Sequence, residues 1–166
     1  MKKLLFICNV DWFFVSHRLP IAIEAVQNNY EVHVACKFTK HMHELSSHGF
    51  ITHKINVKRG KLSPFLDLIL ILNILKIILF IKPNIVHLIT IKPIIYGGFI
   101  TIFFKKIFSV YSFSGLGHVF VNKKISSRMR LFFIKMIYKV SLSKKNKHLI
   151  FQNNSDKDQI KKIKNF

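Results

Sequence analysis

Acidic residues are nearly missing from this sequence. Seven Asp and Glu stand against 27 Lys and Arg, a formal net charge of +20. From Leu68 to Ser155 there is no acid at all, while Lys and Arg occur fourteen times. So one-sided a field attracts phosphates, nucleic acid or an anionic membrane leaflet. A base-composition bias toward Lys, Ile, Phe and Asn is a second source of the same charge. Cysteine is also scarce. Cys8 and Cys36 sit in apolar runs without metal-like spacing, which argues against a disulfide and suits small buried thiols in a reducing compartment. Glycine and proline are few, and the glycines form no phosphate-binding loop and no dinucleotide fingerprint after the first strand. There is no nucleophile elbow of the hydrolase type. His41-x-His43 before Glu44 has no further ligands, so no metal site and no cofactor is expected.

What is present is apolar. Half of the 166 residues are hydrophobic, which argues against disorder and allows one domain with a substantial core. Met1-Lys2-Lys3 and the run Leu4–Val10 resemble a signal sequence, but the run is short and Asp11-Trp12 follows where a small-residue cleavage site belongs. A first buried strand is the better reading. Pro20 is expected in the first turn of a helix ending near Asn29. Tyr30–Cys36 reads as a second strand, Lys40–His48 as a short helix ended by Gly49, and Phe50–Val57 as a third strand. Ser63-Pro64 is a helix start, with Pro83 as the stop after Ile81. Asn84–Thr90 is a strand, and Pro93–Phe104 a helix broken by Gly97-Gly98. Ser109–Phe113 is a strand. Met129–Val140 shows helical spacing, His148–Gln152 is the last strand, and Asp156 opens the last helix. Strands alternating with helices predict an α/β fold: a Rossmann-like parallel sheet with helices on both faces.

Phe65–Ile81 is apolar except for Asp67, Asn73 and Lys76. It is near the length of a membrane span. Each central charge costs about 2.5–3.5 kcal/mol of insertion against about 0.3–0.6 gained per large apolar residue, so hydropathy leaves the sum near balance. The segment lies between two strands, where a parallel sheet needs a crossover helix. A buried or membrane-touching crossover is therefore expected, with a small integral or membrane-bound protein of non-catalytic function as the alternative. A nucleic-acid partner is not expected, because no recognition-helix signature accompanies the charge.

Ligands of such sheets bind beyond the carboxyl ends of the strands. The polar, aromatic and glycine residues there are Asn9, Asp11, Trp12, Phe13, Ser16, His17 and Arg18 after the first strand, and Thr90 and Lys92 after the fourth. Ser114, Gly115, Gly117 and His118 follow the fifth, and Gln152 and Asn153 the last. These are the candidate substrate-binding residues. Each has a plain alternative: Trp12 and Phe13 as caps on the core, Arg18 as a solvated cation, Gly115 and Gly117 as turn residues, His118 as structural. A cation in the first turns of a helix opposes the helix dipole, so Arg18 suits an anionic partner.

Taken together, five segments resemble the amino-terminal domain of glycosyltransferase family 4. They are Asp11-Trp12-Phe13-Phe14-Val15-Ser16-His17-Arg18-Leu19-Pro20, Tyr30 to Ala35, Lys82-Pro83-Asn84-Ile85-Val86-His87 with Thr90-Ile91-Lys92-Pro93, Ser114-Gly115-Leu116-Gly117, and Phe151-Gln152-Asn153. The likeness covers essentially the whole chain and is similar to the branch that extends lipid-linked sugars. It implies the acceptor-side half of a retaining GT-B enzyme, working as a peripheral protein on the cytoplasmic face of the plasma membrane. Its implied partners are a nucleotide sugar such as a UDP-N-acetylhexosamine, a polyprenyl-diphosphate-linked acceptor and the anionic membrane surface. The donor-binding domain and its paired glutamates have no counterpart before Phe166; Glu24 and Glu31 are wrongly spaced. The expectation is a fragment, or a split enzyme with a separately encoded carboxy-terminal half, inactive alone and with no catalytic residue of its own.

Overall fold

The structure, a computed structural model, describes residues 1–57, 63–115 and 135–164. The first strand, β1 (Lys2–Val10), is buried along most of its length, as a central strand covered on both faces must be. Then follow α1 (Asp11–Gln27), β2 (Tyr30–Lys37), α2 (Met42–Ser47), β3 (Ile51–Lys54), α3 (Pro64–Ile81), β4 (Ile85–Ile89), α4 (Ile91–Ile102), β5 (Phe108–Phe113), β6 (Lys147–Phe151) and α5 (Asn154–Lys164). Residues 135–141 are also helical, the described end of the helix expected over Met129–Val140.

All strand pairs are parallel, in the order β3-β2-β1-β4-β5-β6. The chain winds one way through β2 and β3 and the other way through β4 to β6. The switch lies between β1 and β4, where Rossmann-like sheets open a crevice at their carboxyl ends. Side chains of β1 alternate between two cores. Leu4, Phe6 and Cys8 pack with Phe14 and Ala22 of α1, and with Leu45 of α2. Leu5 and Ile7 pack with Leu70, Ile74 and Ile78 of α3, and with Ile94 and Ile100 of α4. Both cysteines are buried free thiols.

Three elements depart from the sequence reading. Helix α1 begins at Asp11, nine residues before Pro20, so Asp11–Arg18 is helix rather than loop. Pro20 lies inside the helix, where its ring removes one i→i−4 bond. Pro20 and Ser16 are both exposed, so water can reach the carbonyl left over. Helix α4 starts at Ile91 and runs unbroken through Gly97-Gly98. Those glycines serve close packing: a Cβ on Gly98 would lie 2.9 Å from the Ser141 carbonyl oxygen and 3.0 Å from the Tyr111 ring. Strand β3 is shorter than the alternation over Phe50–Val57 suggests, because it pairs only with β2 over four residues.

Helix α3 has the predicted bounds, Pro64 at its start and Lys82 in the left-handed conformation (φ 52°) at its end. The Ser63 hydroxyl makes no cap; instead the Asp67 carboxylate accepts the Ser63 N–H at 3.1 Å. The same carboxylate receives Lys92 Nζ at 2.6 Å, which pins the start of α3 to the start of α4. Burial raises the Asp67 carboxyl, but Lys92 and Ser63 outweigh it and leave it below its ordinary range.

Candidate functional site

The carboxyl ends of β1, β4, β5 and β6 form one rim, and the sequence-predicted residues divide there into two groups. The first group is consumed by structure. Asp11 is fully buried. Its Oδ2 accepts the backbone N–H groups of Thr39 (2.7 Å), Lys40 (2.9 Å) and His41 (2.9 Å), and its Oδ1 accepts the Thr39 hydroxyl (2.6 Å) and the Trp12 N–H (2.8 Å). Burial works against the charge, but these donors outweigh it and hold the carboxyl far below the usual range. Asp11 thus clamps the loop after β2 to the start of α1. Lys92 is held by Asp67, as above. Asn153 Oδ1 accepts the Asp156 N–H at 2.8 Å, capping α5.

The second group keeps unused polar atoms. Arg18 is 7 % exposed and lies on the face of α1 that meets the sheet, in series with Phe14 and Ala22. Its Nη1 donates to the His17 carbonyl at 2.8 Å, while Nε and Nη2 are buried without a partner among the described residues. Asn9 Oδ1, near the end of β1, and Ser114 Oγ, after β5, are likewise buried and unpartnered among the described residues. Burial is the main force lowering the Arg18 pKa. Beneath it His87 on β4 shares an Nε2–Oγ hydrogen bond of 2.6 Å with Ser112 on β5. Burial first, and the Arg18 charge second, push this imidazole down to about 3, so it is neutral near neutral pH. Thr90 caps the rim at the end of β4 with φ 73°, a strained value for a β-branched residue.

Further out, Trp12 is exposed, and Phe13 stacks on His17 with ring centroids 4.2 Å apart. Ser16 Oγ and His17 Nδ1 lie 2.6 Å apart on the same exposed turn. Gly115 (φ 87°) donates its N–H to Asp156 Oδ2 at 2.9 Å, which ties the end of β5 to α5. Gln152, Asn153 and Lys157 line an open hollow of about 450 Å³ with Leu149, Phe151 and Asn154. Gly117 and His118 lie outside the described residues.

Three structurally involved residues were not singled out for the site: His87, Ser112 and Asp156. His87 falls in an apolar strand, and only the register that sets Ile89 against Ser112 brings the hydroxyl within reach. Among the described residues no group of three or more His, Cys, Asp or Glu is placed to hold a metal.

An open parallel sheet with its switch point between β1 and β4 and helices on both faces defines a Rossmann-like α/β domain. Residues 3–154 match the family described as glycosyl transferase 4-like, and the chain belongs to that family. Among solved structures it is similar to a glycosyltransferase from Rickettsia africae ESF-5, at 16% identity and a TM-score of 0.68, covering 96% of this chain and 38% of that one. It is also similar to sucrose-phosphate synthase from Thermosynechococcus elongatus (10%, TM-score 0.64, 98% and 45%) and to UDP-GlcNAc 2-epimerase from Methanocaldococcus jannaschii (14%, TM-score 0.57, 98% and 42%). The chain therefore spans less than half the length of these proteins. No curated protein matches it.

Proposed function

We propose that this chain is the acceptor-binding half of a retaining glycosyltransferase whose acceptor is a sugar on a polyprenyl diphosphate. The donor, a UDP-N-acetylhexosamine, binds to a second domain across the rim, and the chain alone transfers nothing. It works as a peripheral protein at the cytoplasmic face of the plasma membrane. The family match supports glycosyl transfer, and the coverage of less than half of GT-B-like relatives supports a second domain.

One observation carries the assignment of an anionic acceptor: the buried Arg18 guanidinium keeps two nitrogens without a partner among the described residues, and Asn9 Oδ1 near the end of β1 and Ser114 Oγ after β5 are also unpartnered. A buried cation without a counter-charge costs several kcal/mol. A diphosphate oxygen offers the missing charge-assisted acceptor, and the Ser114 hydroxyl donates to a second oxygen. Asn9 turns its amide N–H toward the anion when its oxygen faces the sugar hydroxyls. Trp12 and Phe13 supply an apolar wall for a sugar ring or the first isoprene.

The test is titration with a short-chain, water-soluble polyprenyl-diphosphate sugar. Wild type binds; Arg18→Met weakens binding at least tenfold with an unchanged far-UV spectrum. Equal affinity of the two proteins refutes the assignment of Arg18.

A further inference from the structure

The outer faces of the helices on one side of the sheet remain apolar after folding. Helix α3 buries Leu70, Ile74, Ile78 and Ile81 against the sheet, yet only 28% of its residues are buried. On its outer face Phe65 is 73% exposed, Phe80 81%, and Leu68, Leu72 and Leu79 just over half. The outer face of α4 adds Phe99 and Phe103, whose rings meet edge to face at 5.6 Å. The segment 135–141 adds Met136, Ile137 and Val140. Exposed apolar surface on this scale marks an interaction face.

The charge of this layer is one-sided. Of its acids, Asp67 is buried on Lys92, Asp156 of α5 is also buried, and Asp158 of α5 is exposed. Lys76, Lys82, Lys105, Lys106, Lys139 and Lys145 are exposed. Four of them (Lys82, Lys105, Lys106 and Lys145) precede β4, β5 and β6, and so gather at the amino-terminal edge of the sheet, next to Phe80 and Phe103. The acids Glu24 and Glu44 lie in α1 and α2, on the other side of the sheet. Bulky apolar side chains ringed by lysine, against the single exposed acid Asp158 among the described residues of this side, are complementary to lipid tails beneath anionic headgroups.

We propose that the α3–α4 layer is the face by which this protein lies on an anionic bilayer. The sheet then lies roughly parallel to the membrane, with its rim opening sideways. Helix α3 rests in the interface and does not cross it. Its buried stripe and the Asp67–Lys92 pair belong to the folded domain and would be lost in a span. The inference rests on the proposed membrane-borne acceptor only for its biological sense, since the surface itself needs no acceptor.

The experiment is flotation of the purified chain with vesicles of phosphatidylglycerol and phosphatidylcholine, or of phosphatidylcholine alone, free of polyprenyl lipids. Folding of each variant is verified by circular dichroism. The chain floats with anionic vesicles, and alkaline carbonate releases it. A triple reversal on this layer (Lys82→Glu, Lys105→Glu, Lys106→Glu) lowers binding by about fivefold per lysine, on the order of a hundredfold together. The control reversal on the other side of the sheet or its far edge (Lys37→Glu, Lys40→Glu, Lys54→Glu) changes net charge equally and retains most binding. Phe80→Ser with Phe103→Ser removes the binding that survives high salt. Equal losses in the two triple variants overturn the proposal in favour of diffuse net charge. Resistance to carbonate overturns it in favour of a span. Failure to float, with self-association that Phe80→Ser and Phe103→Ser abolish, overturns it in favour of a protein interface. None of these outcomes alters the diphosphate titration, so the two proposals fail separately.

Discussion

Individual residues at the rim divide between holding the fold and waiting for a ligand, and stability measurements separate the two. Asp11 is a holding residue. Asp11→Ala strands three backbone N–H groups, and we expect a loss of about 2–4 kcal/mol in urea unfolding. Arg18 is a waiting residue. Arg18→Met removes a buried cation with two unpartnered nitrogens, so urea unfolding should show unchanged or higher stability while ligand affinity falls. A large destabilisation would show instead that Arg18 is structural. His87 gives a pH signature. Its folded pKa, about 3, lies below the unfolded value of about 6.5, so the unfolded state binds the proton first. Its contribution is complete above pH 6.5 and is lost as pH falls toward 3, with a slope of about 1.4 kcal/mol per pH unit. His87→Leu should flatten this part of the stability profile, and an unchanged slope would contradict the burial. Asp11, also depressed, adds its loss only below about pH 4, so the slope between about pH 4 and 6.5 is free of it.

At the scale of elements, close approach governs the α4 side. Gly98→Ala presses a methyl group against backbone and ring, whereas the 2.4 Å approach at Gly97 involves the end of the Leu88 side chain. We expect Gly98→Ala to cost about 1–3 kcal/mol and Gly97→Ala less, read from thermal unfolding. The Gly-Gly pair reads as a helix break because propensity alone penalises it; the tertiary contact that needs it is invisible in one sequence. Helix α3 was legible to the residue, because Ser63-Pro64 and Pro83 are local signals. The start of α1 was not, because Pro20 looks like a first-turn proline and nothing local reveals that Asp11 meets Thr39, Lys40 and His41 across 28 to 30 residues. The parallel sheet followed from alternation of strand and helix. Asn9, Arg18 and Ser114 followed from the rule that ligands bind at the carboxyl ends of strands. Their lack of partners did not, since it depends on packing depth, and the His87–Ser112 pair depended on register.

The whole molecule has two unlike sides and one unsatisfied rim. The side that carries α1 and α2 holds Glu24 and Glu44; the side that carries α3 and α4 holds exposed phenylalanines and most of the exposed lysines that flank them. At the rim Arg18, Asn9 and Ser114 keep buried polar atoms without partners among the described residues. The central claim is that an anion completes this rim. Arginine side-chain NMR with inorganic pyrophosphate tests it most directly, because the Nε–H of Arg18 is itself one of the unpartnered groups. Titration should move the Arg18 resonance to saturation and slow its exchange with water, while those of Arg59, Arg128 and Arg130 move less. A stationary Arg18 resonance, with pyrophosphate bound elsewhere or not at all, would contradict the account.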